Sequence, residues 1–108
     1  MIKLEAGDDE RDPVAASAAF HRNTLPLAEE ALQKGDLAIL FPPADHTHRE
    51  WRLAVTAMLA RRYTPHRCNS VAAQGPARES ILDYLANAPA VTGQYVEGAG
   101  QEGAGGPD

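Results

Sequence analysis

The chain has 108 residues, 44% of them hydrophobic, and carries ten Lys or Arg against fifteen Asp or Glu, a formal net charge of -5. That length allows one domain with one core. The arginines are scattered and the charge is negative, so neither nucleic acid nor an anionic membrane surface is an expected partner.

No apolar run is long enough to cross a bilayer. The opening residues MIKLEAGDDERD lack the basic and apolar regions of a secretory signal, and a cytoplasmic location is expected. The single cysteine, Cys68, cannot form an internal disulfide, which fits a reducing compartment.

Ile2, Leu4 and Ala6 alternate with Lys3 and Glu5, the period of a strand, here one at a sheet edge. Residues 7–11, GDDER, read as a solvated charged turn. Asp12 before Pro13 predicts a helix start, with Asp12 as N-cap and Pro13 where its missing N–H costs nothing. Residues 14–22 should be helical. Two continuations stay open: a break at Asn23, with Thr24 capping a second helix through Lys34, or one long helix that Pro26 only kinks. Leu25, Leu27, Ala28, Ala31 and Leu32 supply the apolar stripe, and Gly35 is placed as a left-handed residue closing the helix.

Residues 36–41, DLAILF, lack polar alternation after Asp36, as in a strand buried on both faces of a parallel sheet. Pro42 and Pro43 end it. Thr47 and Glu50 have the spacing of a capping box, so a helix is predicted to start near Thr47. Through Arg62 it contains no Gly or Pro. Trp51, Ala54, Val55, Met58 and Leu59 recur at i, i+3, i+4, i+7 and i+8 and are expected to face the sheet. A second line, Leu53, Ala57 and Ala60, widens the stripe beyond one sheet contact and is the expected interface with another helix or subunit. Thr64-Pro65 closes the helix.

Residues 66–72, HRCNSVA, predict a second buried strand in which Cys68 acts as a small hydrophobe. Gln74-Gly75-Pro76 is a turn. Residues 77–87 form an amphipathic helix with Ile81, Leu82 and Leu85 on its inner face, and residues 91–96 a last strand. From Gly98 the sequence is rich in glycine and is expected to be a disordered tail, which gives one domain over 1–97 and a tail over 98–108.

Single helices between strands from residue 36 to 96 describe two successive βαβ units, an α/β fold with a mostly parallel sheet of about four strands in two or three layers. Right-handed crossovers would put both connecting helices on one face if the strands are added in one direction. The polar cluster Asp45, His46, His48, Arg49 and Glu50 lies outside the carboxyl end of a strand, where open α/β sheets bind ligands. It can be a solvated cap with an Asp45–Arg49 pair, a metal site, or an anion site on Arg49. An H-x-H pair on a helix points its rings about 200° apart, and no metal is assigned. The G-x-G-x-x-G at Gly98, Gly100 and Gly103 has no room for the helix that would hold a pyrophosphate.

Three segments carry a resemblance: the strand and turn before Asp45, the run MLARRYTPHRCNSVA, and the ending DYLANAPAVTGQYVEGAG. Arg67-Cys68-Asn69-Ser70-Val71 matches an "R-V-N-x-V" strand, and Tyr84-Leu85-Ala86-Asn87 leads into Val91-Thr92-Gly93-Gln94. Together they resemble the second half of the short-chain dehydrogenase/reductase family, over residues 35–100. The resemblance implies a small Rossmann-like fold from which the glycine-rich cofactor loop is missing, so no cofactor is expected. It also puts Asp45 and Arg49 where the family has the tyrosine and lysine of Tyr-x-x-x-Lys, and Pro42 or Pro43 where it has a serine. What this implies is a truncated, non-catalytic relative acting through protein contacts. The expected partner is a second copy through the 47–62 helix, or a full-length dehydrogenase as companion. The alternative is a ligand- or nucleotide-binding protein, or an oxidoreductase remnant, using Asp45, His46, His48 and Arg49.

Overall fold

Four parallel strands in the order β1-β2-β3-β4 make the sheet: β1 (Ile2–Glu5), β2 (Leu37–Phe41), β3 (Cys68–Ala72) and β4 (Tyr95–Glu97). These come from a computed structural model, which describes residues 1–7 and 11–98. Most of the GDDER turn and the glycine-rich stretch after Gly98, with the G-x-G-x-x-G it contains, lie outside the described residues.

β2 and β3 are buried at every position; β2 is the unbroken apolar run expected of a strand covered on both faces, whereas β3 also buries Asn69 and Ser70. β1 lies at an edge, as its alternation predicts. β3 starts at Cys68 rather than His66, and the last strand is only Tyr95–Glu97. The residues before β4 are held by two backbone bonds, Gly93 N to Cys68 O and Ser70 N to Gln94 O, and by side chains. Asn69 donates to Val91 O and accepts from Gln94 N, both at 3.0 Å, and the Thr92 hydroxyl accepts from Cys68 N at 3.0 Å.

The N-terminal helix runs as α1 (Pro13–Ala19), a π-helical turn (Phe20–Thr24) and α2 (Leu25–Leu32). Asp12 caps it, accepting from Ala15 N at 3.2 Å. Of the two continuations, the single kinked helix is the one formed. Thr24 keeps helical dihedrals and makes no cap bond, while Leu25 N–H reaches back five residues to Phe20 O. The wider turn gives room to the Pro26 ring, which has no N–H to donate. Gly35 is not left-handed; among the described residues only Gly75 and Gly93 have positive φ. α2 ends instead with a tightened turn, Lys34 N bonding Ala31 O at 2.9 Å beside the ordinary helical bond of Gly35 N to the same oxygen at 3.1 Å.

α3 (Arg49–Arg62) and α4 (Gly75–Ala86) do not share a face. Phe20, Ala28, Leu32, Val55, Leu59 and Ala60 pack on Leu37, Ile39, Phe41, Cys68 and Ala72, whereas Leu82 and Leu85 of α4 pack on Ala38, Leu40, Val71 and Ala73 on the other side. Since the strands step in one direction, the β2-α3-β3 and β3-α4-β4 crossovers have opposite hands, against the expectation of a common face. The first face is already occupied by α1, α2 and α3. The chain after α4 is drawn back to β4 by Arg67, whose Nη1 donates to Leu85 O and Ala88 O at 3.0 and 2.9 Å. α4 itself begins at Gly75, two residues earlier than the Gln74-Gly75-Pro76 turn implies, with Pro76 in its first turn.

Gly98 is not part of a tail. Its N–H donates to Ala72 O at 3.0 Å, and a Cβ there would lie 2.6 Å from Ala73 Cβ and 3.3 Å from Ala77 Cβ. The contact seals the end of β4 against α4. Gly98→Ala should therefore destabilise the fold by about 1–3 kcal/mol, the usual cost of overpacking, read from the urea midpoint. A variant as stable as the parent would mean that Gly98 does not sit against Ala73.

Candidate functional site

β2 delivers its end to Pro42 and Pro43, and the chain turns there into a 3-10 turn, His46–His48, that leads into α3. Asp45 caps this turn. Its carboxylate accepts from Thr47 N at 3.0 Å and from the Thr47 hydroxyl, and these bonds, the hydroxyl first, hold it below the usual carboxylate range. The expected Thr47–Glu50 capping box is absent. A carboxylate is the stronger acceptor, so Thr47 donates to Asp45 and α3 begins at Arg49.

Asp45, His46, His48 and Arg49, the candidate ligand-binding residues of the cluster, point apart. His46 is exposed. His48 is buried, and the Trp51 indole N–H donates to its Nδ1 at 3.2 Å. Because an indole N–H can only donate, Nε2 carries the imidazole proton and donates it to Arg11 O at 3.2 Å. Both nitrogens are used, and no metal can bind there without breaking these bonds. Arg49 does not pair with Asp45. It reaches Glu97 at 3.5 Å and lies 5.7 Å from the centre of the Tyr95 ring. Among the described residues no three His, Cys, Asp or Glu side chains could share a metal.

α3 is also rotated from the expected phase. Its buried face is Arg52, Val55, Thr56, Leu59 and Ala60; Met58, expected against the sheet, is 53% exposed, and Ala54 is exposed too. Of the expected interface line, Ala60 is in the core, and Leu53 and Ala57 are half-buried. Ala57 and Ala60 face Gly93 across a shallow cleft of about 310 Å³. The cause is polar. Thr56 donates to Arg52 O at 2.7 Å and shares a hydrogen bond with Ser70 of β3, both side chains being fully buried.

Arg52 is the residue the sequence reading missed. It is only 4% exposed, its guanidinium stacks 4.4 Å from the Phe41 ring centre, and its Nη1 donates to Pro42 O at 3.0 Å and to the Tyr95 hydroxyl at 3.1 Å. Burial raises the Tyr95 pKa, partly offset by the Arg52 hydrogen bond. The available signal was the in-phase spacing of Arg52 and Thr56 with Val55 and Leu59, at i, i+4, i+3 and i+7.

At the opposite end of the sheet, Arg67 binds Asp36 by its backbone N–H (2.7 Å) and its Nε (3.0 Å). Cys68 beside it is completely buried, which pushes its thiol up to about 12 and leaves it inert at neutral pH. The segment 67–71 thus acts as a structural clamp. A family model described as "SDR-like: Short chain dehydrogenase-like protein" matches residues 4–98, a span that includes this clamp. No curated protein and no solved structure gives a significant match.

Burial raises the Asp36 pKa, but the Arg67 backbone and guanidinium bonds outweigh it, and the carboxyl titrates below its ordinary 3.8. A carboxyl depressed in the folded state contributes stability in full above its unfolded value and loses it as the pH falls through the folded one. The stability gap between the parent and Asp36→Asn should be constant near neutrality and close as the pH drops below 3.8. Denaturant midpoints at a series of pH values measure it. A gap that persists unchanged to the acid limit of folding would contradict the Arg67–Asp36 clamp.

Proposed function

The chain belongs to the short chain dehydrogenase-like family, and from that membership we propose that it is a non-catalytic Rossmann-like member that acts through protein contacts, as a homodimer built on α3. The observation that carries this reading is the state of Asp45 and Arg49, which stand where the resemblance puts the family's tyrosine and lysine. A tyrosine in that role must exchange a proton while the lysine lowers its pKa. Asp45 is instead an ionised cap, fixed to Thr47. Arg49 is permanently charged and turned toward Glu97. Pro42 and Pro43, at the place of the serine, carry no hydroxyl, and the Pro42 carbonyl is taken by Arg52.

The homodimer is supported by the outward side of α3. Met58 and Ala54 are apolar and exposed on a helix whose inner face is complete, and two-fold, self-complementary contacts are the commonest way for such a surface to be covered. Light scattering should give twice the chain mass of 11.5 kDa. Met58→Glu should give a folded monomer with unchanged circular dichroism, because the side chain is half exposed in the protomer. A parent protein that is monomeric at high micromolar concentration would overturn the dimer.

NAD and NADP at about millimolar concentration should leave the melting temperature unchanged, since only a ligand that binds the native state raises it. A rise of several degrees with either would overturn the non-catalytic reading in favour of an oxidoreductase remnant.

A further inference from the structure

The outward side of α3 follows one pattern in both directions. Along it stand Glu50, Leu53, Ala54, Ala57, Met58 and Arg61, at i, i+3, i+4, i+7, i+8 and i+11, the spacing of a single helical face. From the midpoint between Ala54 and Ala57, each half meets a small residue, then a large apolar one, then a charge. The acid stands at one end and the base at the other. Glu50, Ala54, Met58 and Arg61 are exposed, and Leu53 and Ala57 half-buried.

The charges give this face a direction. Glu50 lies in the first turn and Arg61 in the last, each at the helix end whose dipole favours it. Roughly 16 Å of helix separates them, so they cannot reach one another. Among the described residues neither takes part in an ion pair, whereas Arg49, one position before Glu50, is drawn to Glu97. A second α3 lying antiparallel on the first would bring its acid to this base and its base to this acid; a parallel one would set like charges together, which is costly. Centred between Ala54 and Ala57, the antiparallel copy also sorts sizes, placing Met58 beside the partner's Ala54 and Leu53 beside the partner's Ala57. Alanines at the crossing let two helices approach to roughly 8–10 Å. Ala57 borders the cleft of about 310 Å³ that it shares with Ala60 and Gly93, a recess the partner's Leu53 would enter.

We propose that two copies of this chain pair through α3 in this antiparallel register, with Arg61 of each on Glu50 of the other and Leu53 of each seated in the other's cleft. The register rests on the homodimer reading above and names the contacts that select the partner. Leu53, Met58 and the alanines supply the affinity, by burying apolar surface. Exposed ion pairs add little to affinity, but they fix orientation and reject a mismatched partner. In a two-fold dimer each such contact occurs twice, so a change at one residue acts at two places.

The test is the dimer dissociation constant, measured at low salt by analytical ultracentrifugation over a dilution series, for the parent, Glu50→Arg and Arg61→Glu. Both side chains are exposed, so each variant should fold with the circular dichroism of the parent. Alone, each variant should dissociate at least about tenfold more readily, because its homodimer carries two like-charged contacts. Mixed in equal amounts, the two variants should recover the affinity of the parent to within a few-fold, since the mixed dimer again sets acid against base at both contacts. A parent that dimerises while both variants dimerise equally well, or a mixture no tighter than either variant alone, overturns the register and leaves the homodimer standing. A parent that is monomeric at high micromolar concentration overturns both.

Discussion

The rotation of α3 about its own axis is set by two polar side chains, Arg52 and Thr56, and much of the molecule depends on it. Each is buried, so each must find its hydrogen-bond partners inside or leave polar atoms unsatisfied, at about 1–3 kcal/mol apiece. Thr56 finds Ser70 on β3; Arg52 finds Pro42 and Tyr95 at the ends of β2 and β4. A methyl group can be rotated off a sheet for less than that. The hydrophobic side chains therefore take the positions the polar ones leave: Val55 and Leu59 inward, Met58 out, and Trp51 against Phe20 and Phe41 with ring centres 5.6 Å apart in both pairs.

The same priority of buried polar contacts explains the lower end of the sheet. Arg67 and Asn69 take up Leu85 O, Ala88 O, Val91 O and Gln94 N, groups that the two backbone bonds from β3 to Gly93 and Gln94 leave over. That lets α4 cross on the face opposite α3 and still return the chain to β4. Membership in the short chain dehydrogenase-like family rests on a span containing this clamp, while Asp45 and Arg49 beyond the end of β2 are engaged in capping and ion pairing.

Much of this was legible in the sequence where one local rule suffices. The unbroken apolar run of β2, the Asp12-Pro13 helix start and the edge character of β1 follow from period and capping alone. The phase of α3 did not, because counting apolar spacings treats an arginine as exposed, and the acceptors that bring Arg52 inside lie 10 and 43 residues away in the chain. The Asp45 to Arg49 cluster was legible as a location, at the carboxyl end of β2, but not as a set of contacts. His48 is turned inward by Trp51, three residues on, and by Arg11, a partner 37 residues away that sequence spacing does not reveal.

The most direct test of the buried polar constraint is a double-mutant cycle on Thr56→Val and Ser70→Ala, followed by denaturant unfolding. Thr56→Val leaves the buried Ser70 hydroxyl without its partner and should cost about 1–3 kcal/mol, whereas Ser70→Ala leaves Thr56 still donating to Arg52 O and should cost less. If the two hydroxyls bind one another across α3 and β3, the double variant will cost less than the sum, with a coupling well above the few tenths of a kcal/mol expected of independent sites. Strict additivity would contradict the account, because it would mean that Thr56 does not face β3 and that α3 is rotated to its hydrophobic phase after all.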